Sequence, residues 1–246
     1  MDGYRAVQLM QPPLLSCFFD PGDAVECLGH LPNIMRNLGE TSRIGHWFSQ
    51  PISPDSQGTS MLQILIHRLT EALRVWQFAW SNDLEDPSVW HWLLRQFQAV
   101  NHVMLSIQCD DPFEEILSVT MIMWNTMVRS KWGAQTVVKS AIPHFRDCLQ
   151  RCEGFSPLQS LPYRQLILSI GAMAAANTYE AQCFTRQLQL DFGPGTASEY
   201  YEKLKSISMD CFYFESLQER HLWNLAQSIA GQEVVGGPEY LMPYHH

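Results

Sequence analysis

The sequence predicts an all-α fold, an irregular multi-helix bundle or solenoid of helical hairpins. Three observations predict it. Apolar residues recur at three- and four-residue intervals over long stretches. Asp-Pro pairs and Thr/Ser-x-x-Glu pairs stand where such stretches begin, as helix caps do. No stretch sustains the two-residue alternation of a half-buried strand. The pattern gives eight or nine helices joined by short loops, with no internal repeat and no heptad run.

The first 58 residues carry six of the 14 prolines and six of the 14 glycines. Punctuation of this density leaves room for one helix, over 32–48, entered at Pro32. Residues 1–28 read as an N-terminal arm whose Leu14, Leu15, Phe18 and Phe19 need an apolar surface to dock on.

From residue 59 to 80, Leu62, Leu65, Ile66, Leu69, Leu73, Trp76 and Trp80 mark one face of a long amphipathic helix. Asp86-Pro87 supplies a cap and first-turn proline for the next helix, to about residue 107, and Asp111-Pro112 does the same for a third, to about 129. Glu114 stands at capping-box spacing there. The third helix is apolar on both sides, with Ile116, Leu117 and Trp124 opposite Val119, Ile122 and Met123, and reads as a central rod. A fourth segment spans 135–152 and is kinked or divided at Pro143.

The C-terminal third carries the most information. Leu166, Ile167, Ile170, Met173 and Ala174, flanked by Gly171, Ala172, Ala175 and Ala176, form a nearly uncharged helix with no face to give to water. Such a helix belongs inside a bundle. More polar helices follow it: Thr196 with Glu199 and Ser216 with Glu219 have capping-box spacing, and Leu222, Trp223 and Leu225 close the series. Residues 231–246 read as a tail.

This order of elements, with the preceding GHLPNIMRNLGE at 29–40, resembles the C-terminal half of the fungal-specific transcription factor domain, the helical regulatory region that follows a zinc binuclear cluster in fungal regulators. The resemblance runs from about Gly29 to Gln227 and makes 29–230 one regulatory domain. It implies a protein partner, either a DNA-binding regulator or a second copy, a nuclear or cytoplasmic location, and a role in the regulation of secondary metabolism. The DNA-reading head of that family needs six closely spaced thiolates, and only Cys17 and Cys27 fall in the first hundred residues. The zinc cluster is therefore expected to be missing. A fragment of a longer regulator is a further reading, in which the bundle leaves apolar surface exposed near residue 29.

At 246 residues and 28.3 kDa the chain suits one domain with a full core. Hydrophobic residues make up 46% and charged residues 17%, which excludes a disordered chain. The net charge of −9, with no run of basic residues, argues against direct nucleic-acid binding. No apolar stretch reaches the length of about 18 residues that a membrane helix requires. Seven cysteines, an odd number without repeated short spacing, indicate free thiols in a reducing, intracellular setting.

Motifs for chemistry are sparse. The chain has no GxSxG, Walker, GxGxxG or HExxH pattern, so neither a cofactor nor a metal is expected. Cys148 and Cys152 lie four apart on one helix and share a face, but a metal would need further ligands. Glu114 and Glu115 read as charges favoured at a helix start. His67, His91, His102, His144 and His221 fall in helices. His91, between Trp90 and Trp92, is the one candidate general base, beside the plainer reading of a surface histidine. Trp76, Trp80, Trp90, Trp92, Trp124 and Met127 can line an apolar ligand pocket, although aromatic residues at helical spacing more commonly pack a core. Two functions follow. One is a stand-alone regulatory module acting through protein partners and a bound apolar small molecule. The other is a redeployed small-molecule-binding protein or cofactor-independent cyclase or isomerase.

Overall fold

Helix-start chemistry organises the chain much as its sequence implies. In the computed structural model, which describes residues 2–13, 20–37, 44–45, 61–109, 111–129, 135–152 and 161–231, the described residues are helices and turns with no strand. In order the helices are α1 (Asp2–Leu9), α2 (Ala24–Leu28), α3 (Pro32–Asn37), α4 (Met61–Ser81), α5 (Pro87–Ser106), α6 (Pro112–Arg129), α7 (Gln135–Lys139), α8 (Ile142–Cys152), α9 (Leu161–Ala174), α10 (Tyr179–Phe192), α11 (Ala197–Asp210) and α12 (Glu215–Ile229). The protein is all-α. These 12 elements exceed the expected eight or nine because the punctuated N-terminal region and the Pro143 break make short helices rather than loops.

Asp86 caps α5 by accepting from the Ser88 amide, and Asp111 accepts from the Phe113 amide at 2.8 Å to start α6. The Thr196–Glu199 capping box at α11 is complete. Ser216, expected to cap the last helix, lies inside it, and its side chain is outside the described residues. The cap of α12 is Phe214, and its amide donates to Gln218 Oε1 at 2.6 Å, so a glutamine four residues on satisfies the helix start. Glu219 meanwhile accepts from the Tyr201 hydroxyl at 2.7 Å.

Pro143 divides its segment as expected: α7 ends at Lys139 and α8 begins at Ile142, where the first-turn amide of a proline is not needed. The helix expected over 32–48 is shorter. It is α3, ending at Asn37, and Ile44–Gly45 form a turn. Gly45 has φ +77°, and a Cβ there would lie 2.3 Å from Thr70 Cγ2, so the backbone rests directly on α4. Of the N-terminal arm, α1 packs on α5 and α7 and buries Ala6 and Val7. The apolar residues 14–19 lie outside the described residues, as do Cys17 and residues 232–246.

Three pairs of consecutive helices pack on each other as hairpins: α4 with α5, α9 with α10 and α11 with α12. Two rods hold them together. Helix α6 touches α4, α5, α7, α8 and α9, and α9 touches α6, α7, α8, α10, α11 and α12. Both are the helices that lack a polar face, which explains why both are central. Gly171 lets α9 approach α8 closely, since a Cβ there would sit 2.6 Å from Phe145 Cε1 and 2.8 Å from its Cζ.

The α5–α6 contact carries a buried polar chain. Asn125 Nδ2 donates to Asn101 Oδ1 at 2.7 Å and to the Phe97 carbonyl at 3.0 Å, and Asn101 Nδ2 donates to Thr126 Oγ1 at 3.1 Å. These paired amides fix how far one helix slides along the other, because any other register strands more of their polar atoms in an apolar setting; Asn125 Oδ1 is buried with no hydrogen-bond partner among the described residues.

Candidate functional site

The aromatic set named from the sequence is distributed over separate packing tasks. Trp76 is buried, with Phe97 at 5.2 Å and Phe214 at 5.0 Å between ring centroids. Trp124 is fully buried against Phe212, and Met127 is fully buried beside it in the same core. Trp90 Nε1 donates to the Leu84 carbonyl at 2.9 Å, closing the α4–α5 connection. Trp92 Nε1 donates to the Gly22 carbonyl at 3.3 Å and Gln96 Nε2 to the same oxygen, which moors the segment before α2 on α5. Trp80 is 42% exposed and stacks edge-on against Phe214. His91 is exposed on α5.

Among the described residues, surface concavities lie elsewhere as well. One of about 660 Å³ runs between α10 and α12 and is polar, lined among others by Thr178, Gln182, Arg186, Gln189 and Ser228. Another, about 310 Å³, lies between α8 and α10 beside Tyr179 and Cys183. Neither is lined by a tryptophan.

Chemistry-bearing side chains converge at the α6–α8 contact instead. His144 and Cys148 stand one turn apart on α8 and therefore project from one face, with Cys148 Sγ and His144 Nε2 3.4 Å apart. Glu115, in the first turn of α6, reaches the same point, and one donor atom from each of the three residues lies within 4.8 Å of the others. Arg151, in the last turn of α8, closes the group. Its Nη2 lies 2.7 Å from each Glu115 carboxylate oxygen and donates to Cys148 Sγ at 3.3 Å.

Burial grades across this cluster. Cys148 is wholly covered, His144 is half-buried, and the Arg151 and Glu115 side chains are 49% and 31% exposed. Burial, followed by the Glu115 carboxylate, pushes the Cys148 thiol up to about 12, against a smaller opposing effect of Arg151. Burial likewise takes Cys152, one turn further along α8, to about 11. The hydrogen bond to Glu115 in turn reinforces the charge on Arg151. By itself the cluster therefore holds a neutral thiol, an imidazole and a carboxylate–guanidinium pair.

Of these groups the spacing of Cys148 was legible, but it pointed to Cys152, whereas the cluster pairs Cys148 with His144. A His-x-x-x-Cys spacing was the available signal. Glu115 had none, because its place is set by how α6 crosses α8, 36 residues away from Arg151 in sequence. Among known protein families, characterised proteins and solved structures, nothing matches this chain.

Proposed function

We propose that these 246 residues form a helical regulatory module, similar to the fungal-specific transcription factor domain and with no zinc-cluster motif among them, that works in the nucleus by binding a DNA-binding regulator through protein contacts. The observation that carries the reading is the fate of the aromatic set: rings that would have to surround a substrate in a cyclase are spent on separate packing contacts, and His91 is exposed on α5. Two further features support it. Trp80 and Trp223 keep 42% and 38% of their surface exposed while resting on Phe214 and Tyr201, and half-exposed, pre-packed rings are the residue type that anchors protein interfaces. A net charge of −9 suits a basic partner and opposes DNA itself.

Tethering tests this. Fused to an unrelated DNA-binding domain, the chain should change the output of a reporter several-fold in a fungal host, and the Trp80→Glu/Trp223→Glu double variant should remove the effect. A folded, nuclear fusion that leaves the reporter unchanged would overturn the proposal.

A further inference from the structure

We propose that Glu115, His144 and Cys148 form a binding site for one zinc-class divalent cation, and that the Arg151 guanidinium stands in for that cation when the site is unloaded. The site is independent of the regulatory reading, and either can fail alone.

The donor set comes first. One thiolate, one imidazole and one carboxylate are the three ligand types that zinc accepts, and together they are poorly suited to calcium or magnesium, which take oxygen. Spacing agrees. At Zn–S of about 2.3 Å and Zn–N of about 2.0–2.1 Å, the tetrahedral edge between sulfur and nitrogen is roughly 3.5 Å. Cys148 Sγ and His144 Nε2 are 3.4 Å apart, so these two donors need almost no movement to share an ion. They are also held by the same helix turn. The carboxylate comes from α6, so the ion would tie two elements together, and three protein ligands leave a fourth position for water or for a donor from a bound partner.

Arg151 supplies the second line of argument. Its Nη2 contacts both carboxylate oxygens and the sulfur, two of the three ligands that a cation at this point would take. A buried thiol beside a carboxylate is a locally electron-rich pair, and the guanidinium supplies positive charge there from a side chain that is half in solvent. Loading is a balanced exchange: the cation enters, Cys148 loses its proton to solvent, His144 presents Nε2 unprotonated, and Arg151 swings outward. The divalent charge offsets the cost of a thiolate that the burial of Cys148 otherwise disfavours.

The test uses the full chain, reduced and stripped with a chelator, and titrated with Co²⁺ as a spectroscopic substitute for Zn²⁺. One equivalent should produce thiolate-to-cobalt charge-transfer absorption together with the intense visible bands of a tetrahedral centre, both displaced by Zn²⁺. Cys148→Ser should abolish the charge-transfer band, and Cys152→Ser should retain it. His144→Gln and Glu115→Gln, at partly exposed positions where folding is safe, should keep the band but weaken affinity at least about tenfold. Arg151→Gln should tighten binding several-fold, because the competing cation is gone. Absence of the thiolate band at stoichiometric cobalt would overturn the site, as would a band that survives Cys148→Ser or affinity indifferent to His144 and Glu115. Histidine-only binding, for instance through His245 and His246, gives no such band and counts against it. Unchanged affinity in Arg151→Gln would remove the stand-in role.

Discussion

The α4–α5–α6 wall and the α6–α8 cluster share a central rod but are built on different physics. The wall is wide, dry and rich in rings. Its polar side chains are tied into the Asn101–Asn125–Thr126 chain or bonded to backbone carbonyls, as Thr70, Trp90, Trp92 and Thr120 are, while the indole N–H groups of Trp76 and Trp124 have no hydrogen-bond partner among the described residues. The cluster is small and half in water, yet four chemically different groups meet there within hydrogen-bond range. An abundance of aromatic residues marks where a helical protein is held together. A few convergent polar groups mark where it can bind something.

Four expected outcomes break or sharpen that contrast. The largest is Trp124→Ala, which empties a fully buried ring site against Phe212 and should cost about 3–5 kcal/mol in denaturant unfolding. Trp124→Phe should cost much less, since the indole N–H it removes is unpaired. A cost for Trp124→Ala below about 1 kcal/mol would mean that the wall is looser than a core and would revive it as a pocket.

Next in size, Asn125→Ala should cost about 1–3 kcal/mol by the same measurement, because Asn101 Oδ1 is left buried without its donor. Asn101→Ala combined with it should add less than its separate effect, as expected within one network.

The third outcome concerns alkali. Burial raises the Cys211 thiol well above its ordinary 9.0 and takes the Tyr163 phenol up to about 12. The unfolded chain ionises both groups at their lower ordinary values, so their burial stabilises the fold fully below about pH 9 and progressively less as pH climbs toward the folded values. Each such group should remove up to about 1.4 kcal/mol per pH unit in that window. Unfolding free energies measured at pH 8 and pH 10.5 should therefore differ, and Tyr163→Phe should shrink the difference.

The smallest effect falls on the cluster. Glu115→Gln breaks a pair that is one-third to one-half exposed, so it should change stability by no more than about 1 kcal/mol while weakening cation binding at least tenfold. Equal loss in both measurements would make the cluster part of the scaffold.

Legibility in the sequence follows the same division. Periodicity located α4, Asp-Pro pairs located the starts of α5 and α6, the amphipathic stretch over 135–152 with Pro143 located α7 and α8, and the absence of a polar face identified both α6 and α9 as interior rods, because those signals are local. Caps were legible where a short polar side chain precedes its helix, as at Asp86 and Thr196. At α12 the cap comes from inside the helix, through Gln218, and the Ser216 spacing misled. The short α1, α2 and α3 lie below the length at which periodicity speaks, and they hold by contact, as Gly22 does through its carbonyl on Trp92 and Gln96. The cluster was half legible. The turn of α8 brings His144 to Cys148, but only the crossing of two helices brings Glu115 to them. The same composition of rings and thioethers fits a cavity or a core, and the choice depends on whether the neighbouring side chains fill the space. Phe97, Phe212 and Phe214 do so here.

Gly171 shows how far that dependence reaches. With no side chain of its own it acts as the thinnest shim in the bundle: the ring of Phe145 rests against its Cα, and Phe145 is the immediate neighbour of His144. One added methyl group would lift α8 away from α9 and carry both of its donor atoms out of alignment with Glu115. The coordination distance at one edge of the molecule is thus gauged by an atom that residue 171 does not have.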